Sequence, residues 1–204
     1  MNSMSKVSNM PGPALPAANA DWPTIREWRK ETRARLIERR IGISDQDRVA
    51  WSERIGHALG SALEPYVGQL IGFYWPFRGE YDPRSILSSM RDKGSRLALP
   101  VIVEREQPLV FREWSPGSLM TQGVWNVPMP ESGEAVLPDL LVVPLVGFDP
   151  QGYRLGYGGG FYDRTIAAMP TKPRTIGVGF ELGRLETIYP QPHDIPQEQI
   201  ITER

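Results

Sequence analysis

The chain predicts an α/β fold in which a mostly parallel sheet is covered by helices on both faces. Apolar runs such as Leu70–Tyr74, Leu140–Val146 and Thr175–Phe180 have the length of buried strands. Helix-compatible stretches alternate with them. The glycine-rich run Arg154-Leu-Gly-Tyr-Gly-Gly-Gly-Phe-Tyr-Asp-Arg164 lies between an apolar run and a helical one. That order reads as strand, glycine loop, helix N-terminus. At 204 residues the chain suits one such domain and is long enough to bury a core without staples.

Residues 1–20 are rich in Ser, Asn, Pro and Ala and lack periodicity, which predicts a disordered leader. A single domain is expected over 21–204. Thr24-x-x-Glu27 has the form of a capping box, opening a helix to about Arg40 with Ile25, Trp28, Thr32 and Leu36 as its buried stripe. Ser44-x-x-Asp47 opens a second helix that ends near Pro65. Leu70–Tyr74 reads as a strand, Pro83–Lys93 as a helix stopped by Gly94, and Arg96–Val103 and Leu109–Trp114 as strands. Ser115–Pro138 is Gly/Pro-rich and reads as irregular. Leu140–Val146 is a strand, Phe161–Met169 a helix halted by Pro170, and Thr175–Phe180 a strand. Gln199–Thr202 adds a short edge strand.

Composition excludes several chemistries. No cysteine is present, so disulfides, thiolate metal sites and a cysteine nucleophile are ruled out. The two histidines, His57 and His193, argue against a multi-histidine metal site. A formal charge of −1 gives no global attraction to nucleic acid or membrane. No apolar stretch reaches the length of a membrane span, and the first twenty residues lack the apolar core of a signal peptide. A soluble cytoplasmic protein is expected.

The glycine loop carries the chemistry. Glycines at 156, 158, 159 and 160 reach backbone angles closed to other residues and allow close approach of a ligand. The following helix start points N–H groups at an anion. Arg154 supplies a fork suited to phosphate, and Asp163 a carboxylate for a divalent cation. A tight turn with glycines kept for packing is the competing explanation. The loop matches neither common phosphate motif: Phe161 stands where a dinucleotide fingerprint needs glycine, and no lysine follows a glycine.

Other segments add candidates. At 100° per residue Arg29, Arg33 and Arg40 share one strip of the first helix, with Arg26 beside it. The strip borders the apolar stripe, so it can reach into a cleft; a solvated face is the default alternative. Phe73-Tyr-Trp-Pro-Phe-Arg-Gly-Glu80 leaves a strand with large aromatics and ends in a carboxylate. Trp75 and Phe77 could wall a flat heteroaromatic ligand, with Glu80 accepting from ring N–H groups; core packing explains them equally well. Trp125-Asn-Val-Pro128 and Pro192-His-Asp194 invite similar readings.

Together these segments resemble the 5-formyltetrahydrofolate cyclo-ligase family, also called methenyltetrahydrofolate synthetase. The most specific part is Pro144-Leu-Val-Gly-Phe-Asp149 followed by Gly152-x-Arg-Leu-Gly-Tyr-Gly-Gly-Gly-Phe-Tyr-Asp163, with Trp125-Asn-x-Pro128 and His193-Asp194…Thr202-Glu203 in the same order. The resemblance implies a three-layer α/β/α sandwich of the NagB/RpiA/CoA transferase-like kind. It implies conversion of 5-formyltetrahydrofolate and MgATP into 5,10-methenyltetrahydrofolate, ADP and phosphate. By the same resemblance Arg154, Leu155, Gly156, Tyr157, Gly158, Gly159, Gly160, Phe161 and Tyr162 cradle ATP. Arg29 and Arg33 match the family's Lys-x-x-x-Arg pair and act on ATP, and they join Arg154 and Tyr162 in catalysis. Tyr157 to Phe161 also face the pterin, and Trp75, Glu80 and Trp125 line the folate pocket. Asp163 and Asp194 position Mg2+. Partners would be 5-formyltetrahydrofolate and ATP, with a monomer or weak dimer expected and no nucleic acid or membrane.

Two positions depart from the pattern. Arg29 stands where lysine is usual, and Gly183 stands where a glutamine often follows the Gly-Phe strand. They leave open a non-catalytic or regulatory folate-binding paralogue. A sugar-phosphate enzyme on a similar fold is disfavoured by the tryptophans and the lack of a conspicuous general base.

Overall fold

Asp21, not Thr24, starts the first helix in the computed structural model, which describes residues 12–204. Its carboxylate accepts from the Thr24 amide at 3.0 Å. Aspartate is a strong N-cap, and Pro23 fits a first turn where no N–H is needed. The expected capping box is therefore displaced by three residues. The helix, α1, runs Trp22–Ile41 and buries Ile25, Trp28, Thr32 and Leu36 as expected. The expected leader falls partly on residues 1–11, outside the described residues. Residues 12–20 form neither helix nor strand, and the Pro16 carbonyl accepts from the Tyr189 hydroxyl at 2.6 Å.

Ser44 caps α2 (Asp45–Leu63), its hydroxyl accepting from the Asp47 amide at 3.1 Å. Next come β1 (Leu70–Gly72), α3 (Arg84–Asp92), β2 (Arg96–Val101) and β3 (Val110–Glu113). The segment expected to be irregular holds β4 (Met120–Gln122) and β5 (Pro128–Pro130), paired as a hairpin, and β6 (Ala135–Val136). Then follow β7 (Leu140–Pro144), β8 (Gly147–Phe148), β9 (Arg154–Leu155), α4 (Phe161–Ala168), β10 (Arg174–Val178) and β11 (Gln199–Ile201).

The main sheet has the order β11-β10-β7-β1-β2-β3-β6. The first five are mutually parallel; β3 runs antiparallel to both β2 and β6. This is the expected mostly parallel sheet with an antiparallel margin. One face packs on α2 and α3 through Ile55, Leu59, Leu63, Leu87 and Met90. The other packs on α4 through Ile166, with Met169 beside it. Strand residues are buried on both faces, Ile71 and Val142 toward α2 and α3, Leu141 and Val143 toward α4. Each fully buried aliphatic side chain contributes roughly 1.5–3 kcal/mol.

Strand order reverses between β7 and β1, since the chain leaves β1 toward β2 and leaves β7 toward β10. Ligands in open α/β sheets bind outside the carboxyl ends of strands at such a switch point. The β1 exit carries Phe73–Glu80, and the β7 exit leads toward the glycine loop. A separate cluster of Leu36, Ile37 and Val146 anchors α1 just past the end of β7. The arginine strip is thereby carried to the same end of the sheet.

Candidate active site

The strand-to-loop connection is longer than the sequence suggested. A two-stranded ribbon, β8 paired with β9, separates β7 from the glycine loop. Asp149 holds its turn: its carboxylate accepts from the amides of Gln151 and Tyr153 at 3.1 Å each, and from Ile188 at 3.2 Å. The loop therefore leaves β9. Two-residue strands carry little hydrophobic signal, so the ribbon was hidden within the motif.

A cavity of about 850 Å³ opens at the switch point, in the upper part of the usual range for small-molecule sites. Every predicted site residue lines it: Arg29, Arg33, Trp75, Glu80, Trp125, the whole run Arg154–Asp163, and Asp194. Among the described residues, nothing accepts a hydrogen bond from the amides of residues 156–160. The loop thus presents open donors beside the start of α4. Gly158 has φ +94°, and a Cβ there would sit 3.3 Å from the Arg33 guanidinium. Gly160, the N-cap of α4, has φ +63°. These two positions require glycine for backbone reasons.

The arginine strip is not a solvated face. Arg29 and Arg40 are buried, and Arg33 is half-buried. Arg33 Nε donates to the Gly156 carbonyl at 2.6 Å, which leaves it over the glycine loop. Among the described residues no carboxylate lies within ion-pair distance of it. Burial, and then Arg29 nearby, hold its pKa below the ordinary arginine value. A desolvated cation without a counter-charge favours an incoming anion.

Arg154 is not the free fork the sequence suggested. It forms a bidentate pair with Asp163, at 2.9 and 3.0 Å. Asp163 Oδ1 also accepts from the Ile195 amide at 3.0 Å. Asp194 Oδ2 accepts from Arg29 at 2.5 Å and from the Gln191 amide at 2.7 Å. Planar guanidinium and carboxylate groups so close within a low-dielectric cleft pair readily. Among the described residues no group of three or more His, Asp or Glu side chains converges as a metal cage. The donor set still fits magnesium, which takes one or two carboxylates plus substrate phosphates and water. Both carboxylates line the cavity, and Asp194 Oδ1 takes no hydrogen bond from the described residues.

The aromatic wall is built from two loops. Phe77 to Glu80 form a tight turn with left-handed backbone at Arg78 (φ 48°) and Gly79 (φ 73°). The Glu80 amide donates to the Phe77 carbonyl at 3.2 Å, and the Phe77 amide donates to Glu80 Oε2 at 2.8 Å. Glu80 Oε1 accepts from the Tyr157 hydroxyl at 3.0 Å. Only 4% of the Glu80 side chain is exposed. Burial pushes its pKa up to about 7, against the opposing pull of Arg40, the Phe77 amide and Tyr157. Trp75 packs edge-on against Trp114. Phe77 turns instead to Tyr157, at 5.8 Å between ring centroids. Trp125 sits between β4 and β5 with φ 58°, followed by Asn126 at 58°. Asparagine tolerates that region; an aromatic residue there is strained.

Some lining residues carried no sequence signal: Lys30 and Trp22 line the cavity from the first turns of α1, beside Arg26 of the strip, and His193 lies there next to Asp194. The Tyr162 hydroxyl is buried with no hydrogen-bond partner among the described residues. Gly183 is packed against the β7 exit: a Cβ there would meet the Val146 carbonyl at 2.8 Å. The local backbone therefore excludes the family's glutamine unless that exit shifts.

The comparisons agree with this geometry. Residues 25–203 match the model of the 5-formyltetrahydrofolate cyclo-ligase family. A 5-formyltetrahydrofolate cyclo-ligase of Haemophilus influenzae is 31% identical over 154 residues, covering 71% of this chain and 81% of that protein. One of Mycolicibacterium smegmatis is 27% identical over 186 residues, covering 85% and 93%. The solved 5,10-methenyltetrahydrofolate synthetase of Aquifex aeolicus superposes with a TM-score of 0.73 at 30% identity, covering 86% of this chain and 90% of that one. That of Mycoplasma pneumoniae gives 0.71 at 20% identity, covering 86% and 99%, a likeness of fold. With nearly all of the described residues matched and the glycine loop, arginine pair and aromatic wall gathered in one cavity, this chain belongs to the 5-formyltetrahydrofolate cyclo-ligase family.

Proposed function

We propose that the protein cyclises 5-formyltetrahydrofolate to 5,10-methenyltetrahydrofolate at the expense of ATP, releasing ADP and phosphate. The observation that carries this is the single cavity lined both by open amides at 156–160 and by Glu80, Trp75 and Trp125. One set suits phosphates, the other a flat ring with N–H donors.

The formyl oxygen is a poor leaving group. It attacks the γ-phosphorus, and the bond from that phosphorus to the β,γ-bridging oxygen breaks to release ADP. N10 then attacks the activated formyl carbon and gives up its proton. The carbon–oxygen bond breaks, and phosphate leaves with the former formyl oxygen. No side-chain nucleophile is needed. The chain's task is positioning and charge neutralisation. The amides of the glycine loop and the start of α4 hold the phosphates, and Arg33 and Arg29 offset their charge. Ionised Glu80 accepts from the pterin ring, while Trp75 and Trp125 hold it flat and exclude water. Asp163 and Asp194 would hold magnesium, whose chemistry is to neutralise charge on the phosphoryl oxygens. Arg154 and Tyr162 act at the phosphate side.

Gly183 packs against the β7 exit and does not itself line the cavity; the intact glycine loop with Asp163 argues against a non-catalytic paralogue. The test is the absorbance of methenyl product from 5-formyltetrahydrofolate with and without MgATP. Product only with MgATP is expected. Folate binding with no product under either condition would replace the enzyme with a binding protein.

A further inference from the structure

Arg40 has a role that the site's lining does not reveal. It does not line the cavity, and it is 3% exposed. Its guanidinium is spent on three separate segments. Nε donates to the Arg78 carbonyl at 3.0 Å, Nη1 to the Leu145 carbonyl at 3.1 Å and Nη2 to the Tyr157 hydroxyl at 2.6 Å. These are the Glu80 turn, the exit of β7 and the glycine loop. Nη2 also lies 4.0 Å from Glu80 Oε1, beyond hydrogen-bond reach. The contact with the carboxylate therefore runs through Tyr157, whose hydroxyl accepts from Arg40 and donates to Glu80. Arg48 completes the clamp: it donates to the Gly79 carbonyl at 2.9 Å and to the carbonyl of Arg40 itself at 2.6 Å.

A turn with two successive left-handed residues, one of them Arg78, is costly without support. Two arginines hold its carbonyls in place. A buried carboxylate is costly too, and one guanidinium supplies the counter-charge.

We propose that Arg40 is a positioning residue for the folate half of the site: through Tyr157 and the Arg78–Gly79 turn it fixes Glu80 as an ionised hydrogen-bond acceptor, without touching substrate. This rests on the folate reading of the cavity given above. The groups that face Glu80 are Arg40 from α1, Tyr157 from the glycine loop, Tyr74 from the β1 exit and Tyr162 from α4. Arg40 is the one cation among them. Its loss therefore makes Glu80 harder to ionise and leaves the ring N–H groups of the ligand without a charged partner.

The experiment titrates the full chain with 5-formyltetrahydrofolate across pH 6 to 9, following the change in intrinsic tryptophan fluorescence on binding, to which the cavity-lining Trp22, Trp75 and Trp125 contribute. Variants are Arg40→Met, Arg40→Lys, Tyr157→Phe and Arg40→Lys combined with Tyr157→Phe. Circular dichroism and urea midpoints establish folding. Arg40→Met is expected to weaken binding tenfold to a hundredfold at pH 7.5, on the order of one charge-assisted contact. The loss should shrink as pH rises and Glu80 ionises. Arg40→Lys keeps the charge and should recover part of the affinity. The double variant should lose less than the product of the two single losses, because both act through one relay. If Arg40→Met does not fold, Arg40→Lys and Tyr157→Phe carry the same cycle. Multiplicative losses with no change in pH dependence would overturn the proposal, as would unchanged binding in folded Arg40 variants. A wild type that binds no 5-formyltetrahydrofolate would overturn the folate reading, and this inference with it.

Discussion

Replacing Glu80 by glutamine should make the ligand-free protein more stable above neutral pH. Glutamine keeps the shape: its carbonyl can accept from the Phe77 amide, and Tyr157 can donate instead to the Phe77 carbonyl, 3.3 Å away. What changes is the charge. Burial raises the Glu80 pKa from 4.5 to about 7. At roughly 1.4 kcal/mol per unit, ionised Glu80 costs the folded state roughly 3 kcal/mol relative to the unfolded chain. The sign follows from the raised pKa. Stability from this group is fully present below about pH 4.5, declines as pH rises and is lost once pH passes about 7. Urea denaturation of both proteins between pH 5 and 8.5 isolates the term, because all other titrating groups are shared. The two stabilities should differ by less than about 1 kcal/mol at pH 5 and by roughly 3 kcal/mol at pH 8, with the variant higher. Folate binding should move the opposite way, since a neutral amide is the weaker acceptor for ring N–H groups. Parallel stability curves across the range would refute the claim that buried charge is stored at this position.

Three further outcomes follow from the site. Arg33→Ala should weaken ATP binding by roughly tenfold to a hundredfold in a nucleotide titration, the worth of one charge-assisted contact, whereas exposed Arg39→Ala on the same helix should change it little; equal effects would make the strip merely structural. Arg35 is the poorer control, because it is half-buried with Gly12 against its guanidinium. Tyr162→Phe removes a buried hydroxyl with no partner among the described residues, so ligand-free stability should hold or rise by about 1 kcal/mol while ligand affinity falls; a stability loss above that size would show the hydroxyl to be satisfied. Asp163→Ala leaves Arg154 buried without its partner and should cost roughly 3–5 kcal/mol in urea denaturation; a loss under about 1 kcal/mol would mean the pair is solvent-screened.

The elements with strong periodicity were legible in the sequence. Leu140–Pro144 and the run from Thr175 to Val178 are largely apolar and buried from both sides, and such runs read as parallel strands. Ser44 announced α2 through a side-chain cap with a fixed spacing. The elements missed are those held by other forces. β8 and β9 are two residues each and depend on the Asp149 carboxylate for their turn. The β4–β5 hairpin turns through two left-handed residues, Trp125 and Asn126, that no propensity favours together. Thr24 lost the capping role to Asp21 because two acceptable caps lay one turn apart, and the position of Pro23 fits only the earlier one.

Residue types at the site were legible, but their partners were not. Helical spacing put Arg29, Arg33 and Arg40 on one strip, and the fold distributes them to three different tasks. Arg29 meets Asp194 from 165 residues away, and Arg40 meets Tyr157 from 117 residues away. Such meetings are set by the order of strands and not by local pattern. The same holds for Arg154 and Asp163, which sequence alone assigned to phosphate and metal as independent groups. Nine residues apart, across the glycine loop, they pair with each other. A nucleotide with its cation would offer each a partner of the same sign as the one it gives up: phosphate for the arginine, metal for the aspartate. Exchange of partners would conserve the balance of charge in a cleft where an unpaired ion is costly. A glycine loop flanked by an Arg–Asp pair can therefore stay folded while free and still present both charges to the ligand.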